Sequence, residues 1–389
     1  MSAQRLLTTH AGSLPRPKTL VQMLSAQSAG EEVNPETMAR EVEAATAQVL
    51  TKQVESGVDI VNDGEVGRES FFTYVQHRMS GFAGRGTRKP MRDLMMYPSF
   101  MMHIARMMAA LDGVSLMAPP QAVGDVRYRD RAAIDAEIAR LKTRIAALPA
   151  KPAGAFITAP SPGIIACAME NKYYPDLASY VDALGQALSV EYRAVVENGF
   201  ILQIDAPDLA MERHTLFAEK PLDEFLAFCK AVVGAINRAV AGLPREKVRL
   251  HVCWGNYNGP HECDEPIESL WPVIEAAGVG AFVISLANPR HEHEIEFFKG
   301  GRLPKSASLV AGAIDTTTNY VEHPEVVARR LLRAVEAVGD PSRVIAGTDC
   351  GFETSAGYVM IAEDVVWAKL RALRDGARLA SARLFGRAA

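Results

Sequence analysis

The sequence predicts an α/β fold, a (β/α)8 barrel forming one domain over residues 1–389, with an insertion after the second strand. Three observations carry this. Short β-rich runs alternate with stretches whose apolar residues recur near every 3.6 positions. Eight such runs can be found, enough to close a TIM barrel. Most of them are continuously apolar, as parallel strands covered on both faces are. A length of 389 residues suits one elaborated barrel, and no linker, repeat or low-complexity segment divides it.

The runs are 5–9, 59–62, 154–158, 200–205, 248–253, 281–286, 308–314 and 343–348. The clearer helical stretches are 35–55, 177–197, 222–241, 324–338 and 362–382. Residues 78–151 are too long for one strand–helix unit and form the expected insertion. It holds Met91, Met95, Met96, Met101, Met102, Met107 and Met108, then a charged helical pattern over 130–148. The methionines read as adaptable packing rather than as the lining of a substrate cavity.

Hydrophobic residues make up 48% and charged residues 23%, enough apolar material for a large core. A net charge of -4 without a long basic run argues against nucleic acid as a partner. No apolar run approaches the roughly 20 residues that span a bilayer, and the first residues lack the apolar core of a signal peptide. Five cysteines at irregular spacing make no disulfide framework, so a reducing cytoplasm is the expected setting.

The chemistry concentrates at two strand ends. The fifth run ends in His251-Val252-Cys253, and residues two apart on a strand share a face. The eighth leads into Asp349-Cys350-Gly351. The C-terminal ends of barrel strands meet at one mouth, so one imidazole and two thiolates can converge. That donor set favours Zn2+, and three protein ligands leave a position for substrate. Cys167 and Cys229 read as small buried hydrophobes, and Cys263 in a polar loop has no assigned role.

Further motifs carry a resemblance. Thr8-Thr9-His10-Ala11-Gly12-Ser13-Leu14-Pro15-Arg16, Asp63-Gly64-Glu65, Gln203-Ile204-Asp205, His251-x-Cys253 and Asp349-Cys350-Gly351 occur in this order. Together they resemble the catalytic domain of the cobalamin-independent methionine synthase family, over nearly the whole chain. The resemblance implies His251, Cys253 and Cys350 as zinc ligands. It also implies that Ser13, Glu65 and Asp205 hold homocysteine or a similar amino-acid thiol. The family's Glu ligand would fall within 283–288, where Ser285 or Ala287 stands in its place. A catalytic His of the family falls near Thr317, and no Trp follows Pro160-Ser161-Pro162, where the family stacks its folate.

Residues 253–263 and 287–294 look like a short branch that also resembles epoxyalkane:coenzyme M transferase. The expected function is therefore a zinc-dependent S-methyltransferase that activates a small-molecule thiol as zinc thiolate and alkylates its sulfur. The alkyl donor stays open among folate, a corrinoid protein and an epoxide. Opening of an epoxide by zinc-bound coenzyme M is the alternative. Asp315, His10 and His291 are the candidates for the general acid. His291, His293 and Glu294 read as the start of a helix, with His291 directed into the mouth, rather than as a second metal site. A zinc hydrolase is a further class, disfavoured because two thiolates lower the Lewis acidity of zinc. A non-catalytic binding protein would need a closed four-ligand site.

Overall fold

The computed structural model describes residues 5–109 and 113–386. Seven parallel strands pair in chain order: β1 (Ile60–Val61), β2 (Gly154–Pro160), β3 (Ile201–Asp205), β4 (Val248–Val252), β5 (Ala281–Ile284), β6 (Ser308–Ile314) and β7 (Val344–Thr348). Residues 7–9 close the sheet. Thr8 bridges Ala346 in parallel, Thr9 N donates to Ala346 O at 2.8 Å, and Ile60 N donates to Thr8 O at 3.0 Å. The edges of β1 and β7 thus both pair with this eighth segment, and no open edge remains between them.

The first two expected strands are shorter than the sequence suggests, for a local reason. The Asp59 carboxylate takes Thr8 N and the Arg5 guanidinium, while the Asn62 side chain accepts from Gly64 N and donates to Gly12 O. Side-chain to backbone bonds of this kind compete with the ladder and end it early.

Helices fill the crossovers: α1 (Pro35–Glu55), α2 (Pro98–Ala109), α3 (Ala132–Ala146), α4 (Leu177–Glu197), α5 (Leu222–Ala239), α6 (Pro324–Val338) and α7 (Glu363–Phe385). Their starts follow from capping chemistry. Asn34 accepts from Thr37 N ahead of a first-turn Pro35, and Asp176 accepts from Ser179 N at 2.7 Å. Gly339, at φ 79°, ends α6 in the left-handed conformation. None of the described helices is long and apolar enough to cross a membrane.

The expected insertion lies between β1 and β2, and its residues 110–112 are outside the described set. It carries a small antiparallel pair, Phe82–Ala83 with Gln121–Ala122, and the helices α2 and α3. Buried ion pairs tie α3 to the barrel: Glu137 binds both Arg68 and Arg78, and Arg78 also binds Glu191. Helix α2 buries no residue of its own and lies across the barrel mouth.

Candidate metal centre and thiol pocket

Asp205 and His251 are register partners on β3 and β4, so their side chains leave the sheet on the same face. Cys253 follows β4 and Cys350 follows β7. The ligand atoms of His251, Cys253 and Cys350 all lie within 4.8 Å of one another, and the three residues are buried. Both ring nitrogens of His251 lack a hydrogen-bond partner. An unpaired buried polar atom costs about 1–3 kcal/mol, and a cation coordinated there would remove that cost. One imidazole facing two thiols is also a donor set of zinc type, so the residues fit such an ion. Facing Cys350, with His251 beside it, the Cys253 thiol is held well below its usual range.

Two side chains to which the sequence assigns no role hold the strand ends together. The Asp349 carboxylate accepts the backbone N–H groups of Leu286, Ala287 and Asn288 at 2.7–2.8 Å. Asn256 donates to Gly351 O and accepts from the Thr316 hydroxyl. Their partners lie about 60 or more residues away, and no local pattern announces them.

The three cysteine and histidine donors open on a cavity of about 650 Å³, shared with Ser13, Glu65 and Asp205. Glu65 sits at φ 56°, an uncommon backbone region for a residue with a side chain. The Asp63 carboxylate supports that turn by accepting Glu65 N at 2.9 Å. Thr158 donates to Glu65 Oε1 at 3.0 Å, while Oε2 has no partner. Burial pushes both carboxyls up from the usual carboxylate range, and Asp205 pushes Glu65 up further. His251 and the Gln203 amide draw Asp205 part of the way back. A pair of buried carboxylates with an unmet acceptor is a place where a cationic group is stabilised.

The remaining candidates stand elsewhere. His10 is fully buried, with Nε2 at 2.8 Å from Gln53 Oε1 and Nδ1 accepting from Gly12 N, so it holds the loop that carries Ser13. The Asp315 carboxylate is occupied by Thr317 and Thr318 in its own turn. His291 stacks on Trp254 and bonds to Asp264 and Glu294, not facing the mouth as expected. None of the three is among the residues lining the cavity. Ser285 donates to Asp349 O, and Glu294 accepts from Ile267 N, outside the cysteine cluster.

The methionine stretch also departs from expectation. Met101, Ile104, Ala105 and Met108 line the cavity because α2 presents its apolar face to the mouth, and Met91 and Leu94 join them from the turn before it.

Known proteins share this arrangement of chain and fold. No family model matches the sequence. A methionine synthase of Pyrococcus furiosus is 28% identical over 349 residues, 90% of this chain and 86% of that protein. A methionine synthase of Saccharolobus solfataricus is 25% identical over 377 residues, 96% of this chain and 94% of that protein. The chain is a homologue of these methionine synthases. The motif resemblance to the cobalamin-independent methionine synthase family accords with these relatives. A B12-independent methionine synthase from Shewanella sp. W3-18-1, solved in complex with selenomethionine, superposes with a TM-score of 0.74 at 20% identity. The match covers 98% of this chain and 100% of that one, and it is a likeness of fold.

Proposed function

We propose that this methionine synthase homologue is a zinc-dependent S-methyltransferase acting on homocysteine or a similar amino-acid thiol, with residues 1–389 working as one domain. The observation that carries the reading is the sharing of one cavity by a His–Cys–Cys donor set and two buried carboxyls with an unmet acceptor. His251, Cys253 and Cys350 would hold the zinc ion, which when bound deprotonates a substrate thiol and keeps it nucleophilic.

The chain's own groups supply position. Glu65 and Asp205 take the substrate ammonium, whose charge draws both carboxyls back toward the ionised form. Ser13, which lines the same cavity, would meet the substrate carboxylate through its hydroxyl. Met91, Met101 and Met108 keep water from the sulfur and leave an apolar approach for the alkyl donor, whether folate or a corrinoid protein. Thiols kept free at 253 and 350 suit a reducing compartment such as the cytoplasm.

The same apolar wall favours a second reading, in which an epoxide is the electrophile and coenzyme M the thiol. Coenzyme M has no ammonium group, and this separates the two. Glu65→Gln and Asp205→Asn should weaken homocysteine by about 2–5 kcal/mol, roughly 30- to 5000-fold, at unchanged zinc content. Titration calorimetry at matched zinc occupancy reads this directly. Homocysteine affinity that stays the same in both variants overturns the amino-acid assignment and favours the epoxide.

A further inference from the structure

The loop that follows Cys253 continues past the cavity-lining Tyr257 into a second group of ligating side chains. His261 Nδ1 and His291 Nε2 both lie 2.8 Å from the same oxygen of Asp264. The three ligand atoms fall within 4.8 Å of one another, and both imidazoles are buried.

The outer nitrogens decide how the inner ones must be read. His261 Nε2 lies 3.0 Å from Tyr257 O, and His291 Nδ1 lies 3.2 Å from Glu294 Oε2. Both partners only accept, so each outer nitrogen carries the N–H. A neutral imidazole has one N–H. A cation bound beside Asp264 would take the place of any proton on the inner nitrogens, leaving each ring neutral with its one N–H on the outer side. Histidines that ligate metals are held in this way, with the far N–H fixed by a carboxylate or a backbone carbonyl.

A third imidazole points the same way. His214 is 1% exposed, and neither of its nitrogens has a hydrogen-bond partner. Its Nε2 lies 3.5 Å from Asp264 Oδ1, itself unpartnered, and its Nδ1 lies 3.8 Å from the unpartnered Asp93 Oδ1. His261, moreover, is held at φ 53°, a conformation that needs support from its surroundings.

We propose that His261, Asp264 and His291 form a second divalent-cation site, with the unpartnered His214 against the other oxygen of Asp264. Imidazole and carboxylate donors without thiolate suit zinc or a neighbouring first-row ion such as cobalt or nickel. The ion is structural. Trp254, next to Cys253, stacks on the His291 ring at 3.9 Å, and Asp93 of the insertion accepts from the Tyr257 hydroxyl and from His261 N. One ion here ties the insertion, the loop after β4 and the 3-10 turn Glu292–Phe298 into a fixed cavity wall.

The test is titration of the metal-stripped full chain with Co2+, followed by absorption and by metal content. Two ions per chain are expected. One brings a thiolate-to-cobalt charge-transfer band and is lost in the Cys253→Ser/Cys350→Ser variant. The other brings visible bands alone and is lost in the His261→Gln/His291→Gln variant, which keeps the charge-transfer band. The cysteine variant decides should the histidine variant fail to fold: it retains one ion if the second site exists. Zero ions in the cysteine variant, or no loss in a folded histidine variant, overturns the proposal and leaves two imidazolium ions paired with carboxylates. A missing charge-transfer band in the wild type instead counts against the thiolate centre alone.

Discussion

One methyl group measures how closely the Ser13 loop approaches Glu65. Gly12 stands at φ 133°, and a Cβ there would lie 2.2 Å from Glu65 Oε1 and 2.9 Å from the Thr158 methyl carbon. Gly12→Ala is expected to cost more than about 1 kcal/mol of stability in urea unfolding, and to lower thiol affinity by displacing Glu65. Asn256→Ala removes the tie between the two strand ends without touching a ligand atom. It should lower zinc affinity about 10- to 100-fold in a competition assay against a chelator. His10 tests burial alone. Burial, partly opposed by the Gln53 amide, holds its imidazole down to about 4, against about 6.5 in an unfolded chain. Between these values the unfolded state binds more protons, so stability falls as pH drops from 6.5 toward 4. Wild type should lose roughly 2 kcal/mol between pH 7 and pH 5 on this account, and His10→Gln distinctly less, by denaturant titration at both values. None of these couplings is legible at its own position. His10 meets Gln53 from 43 residues away, whereas His251 and Cys253 could be paired from strand alternation alone.

Elements were readable where the cause is local. Helices α1, α4 and α6 keep the bounds expected from periodicity, because Asn34, Asp176, Pro35 and Gly339 punctuate them within a few residues. The insertion was readable only as an excess of length. Its contacts are made by side chains on other elements, so a methionine stretch that reads as packing turns out to line the cavity at Met91, Met101 and Met108. The anchor of α3 gives this a test. Glu137 is held down to about 2 by Arg68 and Arg78 in spite of its burial. Glu137→Gln leaves two buried guanidinium groups short of a partner and should cost about 3–5 kcal/mol at neutral pH. The wild-type advantage is present above the unfolded value near 4.3 and fades as pH falls from there toward 2. Guanidinium titrations of both proteins at pH 7 and pH 3 should therefore show the gap narrowing in acid.

At the scale of the molecule, the candidate metal centre joins two strand ends that are far apart in sequence, so an ion bound there would stabilise the barrel through the folded state alone. At a free zinc concentration 100 times its dissociation constant, the gain is about 2.7 kcal/mol. Chelation should lower the thermal midpoint and added zinc restore it, with no such response in Cys253→Ser/Cys350→Ser once any ion at the second site is held constant.

The closing segment has a consequence for the timing of synthesis. Ser13 O accepts from Phe352 N and its hydroxyl from Glu353 N, and the Glu353 carboxylate also binds Arg16. Ser13 and Glu353 are 340 residues apart. At roughly 5–20 residues per second, the ribosome delivers the second tens of seconds after the first. Through that interval Leu7, Thr8 and Thr9, which pair with Ala346 in the finished barrel, have no β7 to lie against. The segment 7–14 therefore waits for residues 344–353, and a ribosome stalled before Glu353 holds a chain whose Ser13 lacks the bonds that fix it.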